Sequence, residues 1–176
     1  MGLRYLVLIV AAATLASCNG KERSDPPSSI WYSHEGCYGT CPVFEIHVDR
    51  RGHGTFKGHA YTAVHGTREF QVTSQQFEAF ASTLDAARRL AKPFNKAKNV
   101  FDQINADFLC PPNAPSHTDD SAVFVMWSER QRDSFYYAYF GCDSDRNKQF
   151  YLSLDKAPDE LGLKNLIEEP NLSTPP

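Results

Sequence analysis

Alternating apolar and polar positions predict two groups of β-strands in this chain. The segments Val43–Val48, Thr55–His59 and Arg68–Val72 each place apolar side chains at every second position, so they predict a meander with one buried face. The run Ala122–Trp127 is apolar at consecutive positions, which is typical of a central strand, and Ser134–Phe140 follows it as a hairpin partner. The pattern therefore predicts an antiparallel sheet of about five strands.

A helical period follows the meander. Thr73 and Gln76 have the spacing of a capping box, and apolar residues then recur at helical intervals as far as Pro93: Phe77, Phe80, Ala81, Leu84, Ala87 and Ala91. Segments 145–154 and 158–167 predict short helices, and 97–118 predicts a long loop. We therefore predict an α+β fold, a mostly antiparallel sheet of about five strands packed by one long amphipathic helix, with short C-terminal helices.

The first residues form a leader rather than a strand or helix of the fold. Arg4 precedes the apolar run Tyr5–Leu15, which is too short to cross a bilayer as a lasting helix and matches a secretory signal. Leu15-Ala16-Ser17-Cys18 then resembles the end of a bacterial lipoprotein signal. We predict that residues 1–17 are removed and that Cys18 carries diacylglycerol and an N-linked acyl chain such as palmitate. An ordinary signal peptide followed by an unrelated cysteine is the alternative.

Lipidation of Cys18 would fix the protein's location and its first partner, the membrane. The predicted location is the cell envelope, with the lipid-anchored domain facing the periplasm. Asn19 and Gly20 lack the aspartate that retains enterobacterial lipoproteins at the inner membrane, so this resemblance favours the outer membrane.

The mature chain predicts one domain between two polar segments. Residues 18–29 carry the lipidated cysteine and a flexible tether that includes Pro26-Pro27, and residues 169–176 form a tail predicted to be disordered. Residues 30–168 form a single globular domain, since one hydrophobic core suffices for a chain of about 140 residues.

The charge distribution argues against nucleic acid as a partner. Removal of residues 1–17 takes away Arg4 alone among the charged residues, which leaves 17 basic and 21 acidic side chains. No long run of like charges interrupts this balance, and a nucleic-acid-binding domain needs a basic patch.

Four cysteines remain after Cys18, an even number that suits an oxidising compartment. They allow three pairings. We favour Cys37 with Cys41, because Gly39 permits a tight loop between them, and Cys110 with Cys142, which lie at the ends of predicted elements.

The segment Cys37-Tyr38-Gly39-Thr40-Cys41-Pro42 resembles the C-Y-G-x-C-P hallmark of an uncharacterised family of bacterial envelope domains. The resemblance extends from Ile30 to about Ile167. It implies an α+β fold, and it implies no activity, cofactor or catalytic residue. From the residues alone the segment has three interpretations: a structural disulfide, a thiol redox pair, or a metal site completed by His34.

Other candidate chemistry is incomplete. The pair His47 and His59 falls on one polar sheet face with only Glu45 as a neighbour, and Asp143 and Asp145 begin a calcium-loop spacing that fails at its later positions, where helix capping is the better explanation. Since Asp119 and Asp120 are adjacent, they would point to opposite faces of a strand and do not form a carboxylate pair. We predict no catalytic residue, no metal site and no cofactor, and whether the protein is an enzyme stays open.

An aromatic surface is the remaining candidate for function. We predict a possible contact patch for an envelope protein or ligand at Trp31, Tyr32, Tyr136, Tyr137 and Tyr139. The sequence thus favours a lipid-anchored envelope protein that acts as a non-catalytic binding or structural module. The alternative is a thiol redox or metal-handling protein that uses Cys37 and Cys41. The sequence does not indicate an oligomeric state.

Overall fold

The computed structural model describes residues 26–105, 110–111, 113–130 and 132–168. The predicted signal peptide, Cys18 and the tail 169–176 lie outside these residues. Among the described residues the chain forms one antiparallel sheet with the spatial order β4-β3-β2-β1-β6-β7-β5. Its strands are β1 (Ser29–Glu35), β2 (Val43–Asp49), β3 (His53–Ala60), β4 (Gly66–Gln71), β5 (Lys92–Pro93), β6 (Ala122–Ser128) and β7 (Asp133–Tyr139).

Seven strands replace the predicted five, so the predicted fold class is wrong in its strand count. The five predicted segments correspond to β2, β3, β4, β6 and β7, while β1 and β5 are additional. The sequence prediction missed β1 because its inward positions end in a polar residue: Ile30 and Tyr32 are followed by His34, and all three are buried. The two-residue β5 contains Pro93, and proline is disfavoured within strands, so residue propensities did not predict a strand there.

The predicted long helix is also wrong, because it divides into α1 (Ser74–Thr83) and α2 (Asp85–Leu90). The break falls at Leu84, directly after a serine and a threonine, whose side chains compete for backbone hydrogen bonds. The predicted capping box is confirmed: the Thr73 side chain accepts from the Gln76 N–H, and the Gln76 side chain accepts from the Thr73 N–H.

Short helices complete the described fold: α3 (Val100–Asn105), α4 (Ser144–Lys156), a 3-10 helix (Ala157–Leu161) and α5 (Lys164–Ile167). The first of these lies inside the predicted long loop. Pro158, the first residue of the predicted helical segment 158–167, occupies the first turn of the 3-10 helix. Asp143 is the N-cap residue of α4 but its side chain makes no capping hydrogen bond, so the predicted capping role is not observed.

The two faces of the sheet are covered unequally. One face, here called the helix face, carries the main core under α1, α2 and α4, and its largest fully buried side chains include Trp127, Tyr32, Phe44, Phe56, Phe77 and Phe80. The opposite face carries a smaller cluster in which Ile104 of α3 packs on Phe124 and Phe135. An α-helix therefore covers each face, although α3 reaches only the β6–β7 half of the second face.

The two ends of the sheet differ in what they expose. Residue 28 lies beside the end of β6, where the Ser28 N–H donates to the Ser128 carbonyl at 2.8 Å, so the chain enters β1 at what we call the tether end. At the other end, the loop end, β1 passes into residues 36–42, β3 into 61–65 and β7 into 140–143, and residues 113–121 lead into β6. The α4 helix starts here.

Within the part of the chain that the structure describes, no helix is long and apolar enough to span a bilayer.

Candidate functional site

Backbone strain concentrates at the loop end. The described residues other than glycine with positive φ angles are Tyr61 (53°), Asn113 (69°), Asp119 (78°) and Asp143 (45°), and all four lie in or beside the loop-end segments. A non-glycine residue in this conformation costs free energy and persists only where the surroundings hold it. Such positions cluster at sites that bind or react, so the loop end is the candidate functional region of the described chain.

The most exposed aromatic side chain described in the structure lies in this region. Tyr38 is 90% exposed, in a five-residue loop whose ends, Cys37 and Cys41, lie at disulfide distance with their Cα atoms 5.6 Å apart. The Tyr38 N–H donates to the Asp119 carbonyl at 3.0 Å, and the Gly39 N–H donates to the Cys37 carbonyl at 2.9 Å. The loop backbone is therefore held at three points while the phenol ring stays in water.

The second cysteine pair closes the neighbouring loops. Cys110 and Cys142 lie at disulfide distance, with their Cα atoms 5.3 Å apart across 32 residues of sequence. The same region is held by the His117 N–H, which donates to the Gly141 carbonyl at 2.9 Å, and by the Tyr139 hydroxyl, which donates to the His117 carbonyl at 2.9 Å. The structure thus has the two cysteine pairs that the sequence analysis favoured.

A buried histidine lies beneath the loop end on the helix face. His34 is 3% exposed, and its ring stacks on Phe44 with the ring centroids 5.5 Å apart. Its Nδ1 atom lies 2.7 Å from the carbonyl oxygen of Pro42, and its Nε2 atom lies 3.3 Å from Oδ1 of Asp155 in α4. The ring therefore joins β1 to both the Cys37–Cys41 loop and the last turn of α4.

This histidine has no nitrogen left for catalysis. Each ring nitrogen lies within hydrogen-bond distance of an accepting oxygen, one on the Pro42 carbonyl and the other on the Asp155 carboxylate. A general base needs a free nitrogen within reach of the proton that it removes. The His34–Asp155 pair is thus arranged to hold segments together rather than to activate a nucleophile.

Asp155 borders two clefts that open beside this pair. The first has a volume of about 280 Å³ and is otherwise lined by Ser121, Phe140, Ser144, Lys148, Tyr151 and Leu152. The second has a volume of about 260 Å³ and includes His34, Pro42, Lys156, Asp159, Lys164 and Glu168. Lys148 and Asp155 line the first cleft, and both charge signs also line the second. Neither cleft therefore has the uniform charge that would select an anion or a cation on its own.

The Asp155 carboxyl is a source of acid sensitivity. The hydrogen bond from His34 holds its pKa below the ordinary value of 3.8, against the opposite effect of partial burial. A depressed carboxyl pKa contributes stability above the unfolded value, and that stability is lost as the pH falls through the folded-state pKa. We expect the stability advantage of the wild type over Asp155→Asn to be present above pH 3.8 and to shrink below it, measured as urea midpoints from neutral pH to about pH 2.

His34→Gln provides the control for this prediction. Because the depressed pKa depends first on the histidine hydrogen bond, Asp155→Asn made in the His34→Gln background should lose most of its acid-dependent effect. An equal acid-dependent effect in both backgrounds would contradict the assignment of His34 as the partner that matters.

The five residues predicted as a contact patch do not share one surface. Tyr32 is fully buried on the helix face, where its hydroxyl donates to the Leu154 carbonyl at 3.0 Å, so its assignment to a binding surface is wrong. Tyr136 is on the same face and packs against Phe150. The other three point to the opposite face, where Trp31 packs edge-on against Phe124 with centroids 5.3 Å apart.

The aromatic residues on that opposite face are half-buried rather than free. Burial raises the pKa of the Tyr137 phenol, and the nearby charge of Glu35 raises it further. Tyr137 and Trp31 both pack against the cluster under α3, and Tyr139 supports the 117–120 backbone through its hydroxyl. These side chains build the sheet face and position the loop end.

The structure also bears on the redox and metal interpretations of the cysteine segment. His34 is buried, and its two ring nitrogens contact the Pro42 carbonyl oxygen and the Asp155 carboxylate. The described residues contain no group of three or more His, Cys, Asp or Glu side chains arranged to hold a metal ion. His59 lies 2.7 Å from Glu45 on the exposed sheet face, and its sequence partner His47 pairs across the sheet with Thr55 instead.

Two important features escaped the sequence analysis. The His34–Asp155 contact joins residues 121 positions apart, and no local pattern reports such a distance. The exposure of Tyr38 was also missed, although its place between two close cysteines was a usable signal.

Comparison with known proteins gives a family and no activity. No curated protein matches the chain significantly. The model of a family described as a domain of unknown function, DUF6438, matches residues 28–158. These residues include every strand of the sheet and the cysteine pairs at its loop end. The chain therefore belongs to the DUF6438 family of domains of unknown function.

Proposed function

We propose that this protein is a lipid-anchored cell-envelope protein, exposed to the periplasm from the outer membrane, and that it acts as a non-catalytic binding module through its loop end. The family match leaves the activity open. The proposal rests on the leader that ends at Cys18 and on the arrangement of the domain that follows it.

The direction of β1 is the observation that carries the proposal. The tether 18–29 enters β1 at the tether end, and the strand ends at Glu35, beside the Cys37–Cys41 loop. Seven strand residues cover about 20 Å, so the loop end lies about 20 Å from the point where the tether joins the domain. The strained and exposed residues then lie at the end of the domain away from that attachment, open to a partner in the periplasm.

The composition of the loop end favours binding over catalysis. Tyr38, Tyr61 and Leu152 are three of the four large apolar side chains exposed in the described part of the chain, and the first two lie in its loops. Leu152 borders the first cleft. His34, which could have served a hydrolase as a base, has both ring nitrogens engaged. Exposed apolar side chains on a rigid scaffold are typical of contact surfaces.

Lipidation is tested by labelling. We expect palmitate label on the wild-type protein expressed in a bacterial host, and we expect Cys18→Ser to remove the label and to move the protein from the membrane fraction to the periplasmic fraction. Cys18 is outside the folded core predicted at 30–168, so the variant should keep the wild-type melting temperature. An unlabelled wild-type protein would refute the anchor.

The binding face is tested by photocrosslinking in cells. A benzophenone amino acid at Tyr61 or Leu152 should give discrete high-mass adducts, because both side chains are exposed at the loop end. The same amino acid at Arg51, exposed in the turn at the tether end, or at Leu90, exposed on α2, is the matched control. Adducts that arise from the control positions alone would refute the loop end as the binding face.

A further inference from the structure

We infer that the Cys37–Cys41 loop docks Tyr38 into an apolar pocket on a protein partner, and that Lys or Arg side chains border that pocket. This inference rests on the proposed function, since it specifies how the loop end binds. Two independent observations lead to it: a rigid loop that keeps its aromatic side chain in water, and an excess of acidic residues in the three segments that meet around that loop.

The loop is preorganised for insertion. Its ends are joined at disulfide distance, the Tyr38 N–H is fixed on the Asp119 carbonyl, and the ring is 90% exposed. Asp119 itself holds a φ of 78°, so the neighbouring loop takes up strain in presenting that carbonyl. A tyrosine on a rigid backbone has only its two side-chain torsions left to fix on binding, which makes it an economical anchor in protein interfaces.

Charge defines the border of the partner's pocket. The segments 33–42, 113–121 and 140–145 meet at this part of the loop end and contain no Lys or Arg, while they contain five acidic residues: Glu35, Asp119, Asp120, Asp143 and Asp145. Of these, Glu35, Asp119 and Asp120 are exposed in the two segments nearest Tyr38. A complementary partner presents basic side chains around the pocket that receives the ring.

The same charge separates a protein partner from a membrane. Anionic lipid headgroups would repel a loop bordered by carboxylates. A protein surface with a basic border fits this charge. Binding to anionic vesicles is therefore an outcome that would overturn the inference.

The experiment keeps Tyr38 intact and places the photocrosslinker at Thr40, which is exposed in the same loop. The lipidated full-length chain is crosslinked in cells with Tyr38, with Tyr38→Ala and with Leu90→Ala, the last being the matched removal of an exposed apolar side chain on α2. We expect a discrete adduct that Tyr38→Ala abolishes and Leu90→Ala preserves. All three proteins should have the same melting temperature because both side chains are exposed.

The purified adduct partner then tests the chemistry of the pocket. Affinities for this partner are measured in the Cys18→Ser background. There we expect Tyr38→Ala to weaken the affinity about 30-fold or more, as for a central aromatic anchor. The double variant Asp119→Asn, Asp120→Asn should lower the association rate and flatten its salt dependence, with little change in the dissociation rate. Salt-independent association of the wild type would overturn the inference that basic side chains border the partner's pocket.

The outcomes separate this inference from the proposed function. Adducts from Tyr61 or Leu152 that persist in Tyr38→Ala would overturn the docking role of Tyr38 and leave the loop end as a binding face. A lack of adducts from every loop-end position would overturn both. Binding of the Cys18→Ser protein to phosphatidylglycerol vesicles, dependent on Tyr38, would replace the protein partner with a lipid surface.

Discussion

Replacing Tyr32 with alanine is expected to destabilise the domain by about 3–5 kcal/mol, the range for an aromatic side chain removed from a packed core. The ring is fully buried and packs on Phe44 and Phe80 with centroid distances of 6.0 and 6.1 Å. Burial also raises the pKa of its phenol well above the usual value of 10.0, so the hydroxyl stays protonated and continues to donate to the Leu154 carbonyl. Urea unfolding followed by tryptophan fluorescence measures the loss.

Two matched variants separate the contributions in this experiment. Tyr32→Phe keeps the ring and removes the hydrogen bond, so we expect a loss of about 1 kcal/mol. Tyr38→Ala removes the same side chain from a fully solvated position and should change stability by less than about 0.5 kcal/mol. Equal losses for Tyr32→Ala and Tyr38→Ala would contradict the burial described for β1.

Removal of the long-range cysteine pair should have a comparable effect. The double variant Cys110→Ala, Cys142→Ala opens a loop of 32 residues, and the chain-entropy relation gives a loss of about 4 kcal/mol. This pair joins the loop before β6 to the end of β7. We therefore also expect the double variant to speed up amide hydrogen exchange in residues 113–121 more than in the sheet. Unfolding midpoints and hydrogen exchange measure the two effects.

The short cysteine pair provides the contrast. The double variant Cys37→Ala, Cys41→Ala opens a loop between cysteines only four positions apart in sequence, for which the same relation gives a loss of stability of about 2 kcal/mol. Graded reduction with alkylation of the freed thiols shows how readily each pair opens. If the Cys37–Cys41 pair opened at a mild potential while the other stayed closed, the thiol redox function would regain support.

Local patterns predicted the sheet segments with strong alternation. β2, with Phe44 and Ile46 inward, and β6, with apolar residues on both faces, lie where the sequence indicated. The cap at Thr73 was equally readable, because a capping box is complete within four residues. Elements whose stability comes from neighbours near in sequence could thus be read directly.

The remaining elements depend on contacts that sequence distance hides. β1 is held by β6 through residues such as Tyr32 and Val125, which are far apart in the chain, and its polar end at His34 gave no apolar signal. The helix break at Leu84 leaves the predicted inward residues of both helices, from Phe77 to Ala87, buried, so the hydrophobic period alone could not reveal it. The Asp155 contact, which explains why His34 is buried, requires the fold to be known first.

The position of β1 sets an order on the assembly of the sheet as the chain emerges from its N-terminal side. Strands β1 to β4 form a continuous meander, which can assemble once residue 71 has emerged. Its β1 edge then stays open until Ala122–Ser128 emerges, because β6 is the strand that covers it. An open edge with Tyr32 still unpacked is a site for aggregation or for a chaperone. The central strand of the finished sheet is thus an unprotected edge strand in the partly folded chain, and its pairing with β6 is the step that commits the chain to its fold.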